Sequence, residues 1–91
     1  MNVTVEYNAP AKRAAGVASE NVSIDGPCFV QDLLRRVAER DVALRSLLFD
    51  ATGNLQPTIL LFVGDEQVRW TTPHVLRDRD VISILSPISG G

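Results

Sequence analysis

The residues whose types and spacing could do chemistry stand at the end of the chain, where Ser89-Gly90-Gly91 follows the alternating run Val81-Ile82-Ser83-Ile84-Leu85 and the pair Ser86-Pro87. A diglycine at a free C-terminus suits a carboxylate that must reach into another protein's active site, because glycine has no Cβ and tolerates positive φ. The expected reactive group is therefore the carboxylate of Gly91. Gly90 is the residue that lets the tail thread a narrow channel, and Pro87, Ile88 and Ser89 are expected to lie along the partner. No other part of the sequence offers a catalytic constellation. Cys28 is the single cysteine and reads as a small, half-buried residue at the head of a helix. His74 is the single histidine and has no second ligand at metal spacing, so no metal site is expected. Asp78 and Asp80 alternate with Arg77 and Arg79 and read as a solvated charge cluster in a turn.

The elements that must position the tail follow from hydrophobic periodicity. Val3, Val5 and Tyr7 alternate with Thr4 and Glu6, which predicts a strand. Residues 8–16 read as a connection, and Val22 and Ile24 alternate with Ser23 and Asp25 in a second strand that completes a hairpin. Pro27 marks a helix start. Val30, Leu33, Leu34, Val37 and Ala38 fall on one face of the helix that follows, with Arg35, Arg36, Glu39 and Arg40 on the other. Leu44, Leu47, Leu48 and Phe49 form a further apolar cluster, for which a short helical turn under the domain is expected. The run from Thr58 to Val63 predicts a central strand that is covered on both faces or exposes one to a partner. Gly64-Asp65 reverses the chain into a strand over residues 66–70. Residues 71–76 read as irregular, and Val81–Leu85 as the last strand.

Strand, strand, helix, strand, strand, strand is the order of a β-grasp: an α+β fold in which one helix covers one face of a mixed five-stranded sheet. A right-handed crossover then sets the first and last strands side by side as a parallel central pair. Leu33 and Ile84 are expected in the core. The domain is expected to occupy residues 1–87, with 88–91 as a flexible tail. One helix leaves the second sheet face uncovered, and apolar residues there would form a partner surface. Phe62, Val68 and Leu85 are the candidates, and Trp70 belongs either to the core or to that surface.

Composition narrows the function classes. With 91 residues there is room for one domain, in which about 60–65% of the unfolded surface is buried. A net charge of −2 with nine scattered basic residues argues against nucleic acid. No apolar run has the length of a membrane span. The opening Met1-Asn2-Val3-Thr4-Val5 enters a strand pattern directly, without the features of a secretory signal. Together with the lone cysteine, this predicts a cytoplasmic protein. Lys12 is the only lysine, which argues against a modifier that builds chains on itself.

The segment from Leu76 to Gly91 resembles the C-terminus of the MoaD/ThiS family of ubiquitin-like sulfur carriers, where a leucine, an acidic turn, an alternating strand, a proline and a final Gly-Gly recur. The resemblance covers essentially the whole chain. Met1–Val5 and the segment Val63-Gly64-Asp65-Glu66-Gln67-Val68-Arg69-Trp70 look most like CysO-type carriers, which serve cysteine biosynthesis. One departure is Arg79-Asp80, where the family has Gly-Asp; losing the glycine from a position of positive φ predicts a different turn.

The resemblance implies a carrier rather than an enzyme. Gly91, ionised at neutral pH since a terminal carboxyl has a pKa of roughly 3.3–3.7, would attack the α-phosphate of ATP and form an acyl-adenylate. Sulfide or a persulfide would then displace AMP and leave a thiocarboxylate. A MoeB/ThiF-like adenylyltransferase of the ubiquitin-activating type would supply ATP and magnesium, and this chain would bind no cofactor of its own. The implied acceptor is a pyridoxal-phosphate cysteine synthase, and a metalloprotease is a further partner if the diglycine is exposed by processing. The alternatives are the small subunit of molybdopterin synthase, a protein modifier joined through Gly91, and a purely non-covalent interaction module.

Overall fold

The computed structural model describes residues 1–8 and 11–85. Its elements run β1 (Asn2–Tyr7), α1 (Ala11–Ala15), β2 (Ser19–Ser23), α2 (Val30–Glu39), α3 (Val42–Leu48), β3 (Leu60–Val63), β4 (Glu66–Val68) and β5 (Val81–Leu85). The five strands form one sheet in the order β2-β1-β5-β3-β4. β1 and β5 are parallel, with Val5 opposite Ile82, and every other pairing is antiparallel. The expected parallel pair of first and last strands is thus at the centre.

Period-2 patterning fixes which side chains meet the helices. Val3, Val5 and Tyr7 of β1, Leu61 and Val63 of β3, and Ile82 and Ile84 of β5 are buried against Val30, Leu33, Leu34 and Val37 of α2. Leu33 and Ile84 are fully buried, as expected. Glu20 and Val22, opposite Val5 and Val3, are the inward residues of β2. Ile24, read as part of that strand, lies just beyond it and is buried, its N–H donating to the Met1 carbonyl at 2.8 Å.

Two helices lie where the sequence was ambiguous. The Leu44–Phe49 cluster is mostly α3, whose first turn is capped by Asp41: one carboxylate oxygen accepts from the N–H groups of Ala43 (2.8 Å) and Leu44 (3.2 Å). The connection after β1 contains α1, which buries Ala11. Five residues with one buried alanine carry too little periodicity to be read as a helix. β4 is shorter than expected and ends at Val68.

The turns at the two ends of the antiparallel partners of β3 depend on backbone handedness. Gly64 has φ of 60° at the first position of the two-residue β3–β4 turn, a conformation that favours glycine. Arg79 has φ of 70° just before β5. The left-handed position is therefore kept without glycine, and the expectation of a different turn does not hold. Hydrogen bonds from Asn2 N–H to Asp78 Oδ1 (2.8 Å), from Arg79 N–H to the Asn2 carbonyl (2.6 Å) and from Arg77 N–H to Asp80 Oδ2 (2.7 Å) hold the arginine there.

Candidate functional site: the uncovered sheet face and the root of the tail

Residues outward on β3 and β5 form the face away from the helices. Leu60 pairs with Leu85 and Phe62 with Ser83, and these residues and Val81 are all half-buried. Leu60, Phe62, Val81 and Leu85 thus make an apolar half-face. The outward residues of β1 and β2 make a polar one, in which Ser83 Oγ donates to Glu6 (3.2 Å) and Thr4 Oγ1 to Asn21 (3.0 Å). Phe62 and Leu85 lie where the sequence put them. Leu60 and Val81 were missed, although continuing the alternation from Phe62 and Leu85 reaches both.

Val68 is a correction. It pairs with Leu61, an inward residue, and is only 7% exposed. Directly opposed residues of an antiparallel pair share a face, so Val68 belongs to the core and cannot meet a partner. Trp70 packs on the helical side, edge-on to Phe49 with centroids 5.4 Å apart and with the Arg35 guanidinium 5.0 Å from its ring centroid.

The apolar half-face runs to the root of the tail. Leu85 is the last residue described, and the carbonyl before it, on Ile84, accepts from both the backbone N–H and the side-chain Nδ2 of Asn8, each at 3.3 Å. Asn8 thereby ties the end of β5 to the end of β1, a role without a signal in the sequence. Pro87, Ile88, Ser89, Gly90 and Gly91 lie outside the described residues.

The other reactive side chains have structural surroundings. Burial pushes the Cys28 thiol above its ordinary pKa, with the nearby Arg36 opposing, so at neutral pH it is protonated and a weak nucleophile. Its Sγ lies 3.3 Å from the Phe29 carbonyl. His74 is half-buried, and no cluster of three possible metal ligands occurs among the described residues. Asp78 and Asp80 are more than a solvated cluster, since both accept the backbone hydrogen bonds that build the turn before β5. A broad groove of about 860 Å³ lies on the helical side between α2, α3 and the 50–56 loop, away from the uncovered sheet face. No helix among the described residues is long and apolar enough to cross a membrane.

A mixed sheet with its first and last strands parallel at the centre, helices on one face and an apolar patch on the other, is the ubiquitin-like β-grasp class. Residues 5–91 match the ThiS family, and the chain belongs to it. It is a sulfur carrier of the ThiS and MoaD type. It is 28% identical, over the whole of both chains, to a molybdopterin synthase sulfur carrier subunit from Chlamydomonas reinhardtii. The fold superposes on SAMP1 from Haloferax volcanii with a TM-score of 0.88 at 24% identity, covering all of both chains. It superposes on a chain of the BexX/CysO complex from Amycolatopsis orientalis with a TM-score of 0.73 at 25% identity, covering 98% of this chain and 99% of that one.

Proposed function

We propose that this carrier holds sulfur as a thiocarboxylate on Gly91 and gives it up in biosynthesis, with cysteine as the product. The observation that carries the reading is that the family match runs through the diglycine to residue 91. The apolar half-face leading to Leu85 supports it, because an enzyme that draws in the tail must also grip the domain beside it.

The chemistry needs no catalytic side chain from this chain. The Gly91 carboxylate attacks the α-phosphate of ATP and expels pyrophosphate. Sulfide then attacks the activated carbonyl and AMP departs with the bonding pair, leaving the thiocarboxylate. Where the terminal sulfur of a persulfide attacks instead, the product is an acyl disulfide, and a second thiol must break its S–S bond, leaving as a disulfide with the donor and releasing the thiocarboxylate. A separate MoeB/ThiF-like adenylyltransferase supplies ATP, magnesium and the cationic groups that meet the developing charge, and this chain binds no cofactor. Gly90 has no reactive atom, but a Cβ there would clash in a channel tight enough to exclude water. The reducing cytoplasm suits both the free thiol of Cys28 and the thiocarboxylate. The resemblance of Met1–Val5 and Val63–Trp70 to CysO-type carriers is what favours a pyridoxal-phosphate cysteine synthase as acceptor.

A second reading, as the small subunit of molybdopterin synthase, is supported by the full-length likeness to the Chlamydomonas subunit. Incubation with an adenylyltransferase, ATP, magnesium and sulfide, followed by intact-mass measurement and alkylation, tests the common chemistry. The expected product gains the mass difference between sulfur and oxygen at Gly91 and reacts with the alkylating agent. Removing Gly91 should abolish ATP–pyrophosphate exchange, and unaltered exchange would refute the reading. Release of cysteine from the thiocarboxylate by a sulfhydrylase with an activated serine favours the first pathway. Isolation only as a tight hetero-oligomer with a larger synthase subunit favours the second, and an isopeptide remnant on other proteins would make the chain a modifier.

A further inference from the structure

We propose a second docking surface, formed by Phe29, Val75 and the hollow beside them, for an acidic protein segment that inserts one apolar side chain. Phe29 is 42% and Val75 55% exposed, and they face each other as an isolated antiparallel bridge. Two exposed large apolar residues locked together make a patch rather than a scatter of single ones. Flanking backbone hydrogen bonds, Val30 N–H to the His74 carbonyl and Leu76 N–H to the Cys28 carbonyl, are each 2.9 Å.

The segment carrying Val75 is held by a buried polar side chain. Gln31, 7% exposed, donates through Nε2 to the carbonyls of Trp70 (3.2 Å) and Thr72 (2.9 Å) and accepts from His74 N–H (3.3 Å). One amide thus satisfies three backbone groups of a loop with no regular structure, so the surface is fixed before any partner arrives. Between Phe29, Trp70, Pro73 and Arg35 lies a hollow of about 240 Å³. It can take a side chain, which favours a protein segment over a membrane surface.

Charge selects the class of segment. Asp32, the acid beside the hollow, is already 3.5 Å from Arg35. Arg36 lies within electrostatic reach of Cys28, next to Phe29, and Arg77 follows Val75 by two residues; neither forms a salt bridge among the described residues. Asp80 accepts from the Arg77 N–H and Asp78 lies 4.0 Å from Arg79, so in a chain of net charge −2 Arg36 is the cation that this patch leaves for a carboxylate flanking an inserted side chain. The surface lies at the end where β1 and β5 begin, next to the turn that bonds to Asn2, whereas Leu85 ends β5.

Backbone amide spectra of the isotopically labelled full chain, titrated with a synthetic peptide bearing a leucine–phenylalanine pair between aspartates, test this. Saturable shifts are expected at residues 28–31 and 70–77, weakening as salt is raised. Val75→Ser and Phe29→Ser should each lower the affinity about tenfold, and Arg36→Glu should lower it and flatten its salt dependence. Val75, the more exposed, gives a variant that folds whatever Phe29→Ser does. An equal response to a peptide with lysines in place of the aspartates would overturn the proposal. So would shifts confined to the Phe62 and Leu85 face, or binding to phosphatidylglycerol vesicles with no response to the peptide.

Discussion

β3 and β5 present two faces made from neighbouring residues of the same strands, and the two faces differ in how they are covered. Inward, Leu61, Val63, Ile82 and Ile84 are sealed under the helices; outward, Leu60, Phe62, Val81 and Leu85 are half-covered and equally apolar. Composition therefore does not distinguish the sealed face from the half-covered one here. Position in the pleat does, and so does the placement of α2 and α3 on one side only. On the outward face β1 and β2 contrast again, because Thr4, Glu6 and Asn21 give them a polar surface that the β3–β5 half lacks.

Val68→Asp should have the largest effect, about 3–5 kcal/mol of lost stability, since it leaves an unpaired carboxylate in the core. Thermal denaturation would show it, and a stable Val68→Asp protein would break the division between faces. Ile84→Ala should follow at roughly 2–5 kcal/mol through lost burial and a residual cavity, read from chemical denaturation with an unchanged slope. Arg79→Gly should act in the opposite direction, raising stability by about 1 kcal/mol by removing a side chain from the left-handed region. A fall instead would mean that the guanidinium holds β5 in register. Smallest in stability, within about 0.5 kcal/mol, should be Phe62→Asp and Leu85→Asp. Both should nevertheless weaken adenylation by the activating enzyme while circular dichroism stays native; an unfolded variant would move that residue to the core side.

The periodic elements were legible in the sequence. Five apolar positions at helical spacing announced α2, and alternation announced β1 and β5, because each buries a whole face and burial imposes the period. The parallel central pair of first and last strands followed from connection handedness. Val68 was misassigned because in a three-residue strand the pattern cannot choose a face; the choice is made by its partner Leu61 across the ladder. α1 and Asn8 were invisible for a related reason, since their contacts are with residues distant in sequence. The turn at Arg79 shows another limit. Glycine normally signals positive φ, but here the hydrogen bonds of Asp78 and Asp80 impose that conformation on an arginine. The diglycine was read from its own residues and the family resemblance supplied its chemistry, while the face beside it became complete only when Leu60 and Val81 joined Phe62 and Leu85.

The position of β5 has a consequence for how the chain folds. It is the last strand in sequence and the middle strand in space, and the hydrogen bond from Asn2 to Asp78 spans 76 residues. Until β5 arrives, β1–β2 and β3–β4 are two hairpins with nothing between them, and isolated hairpins are marginal in water. Pairings so distant along the chain also make folding slow, because most of the polypeptide must be ordered before they reward it. During synthesis the domain can close only after Leu85 has left the ribosome. The strand that ends at Leu85 is the one that completes the fold, so the activating enzyme proposed above, if it grips the β3–β5 face, would recognise finished chains and pass over partial ones.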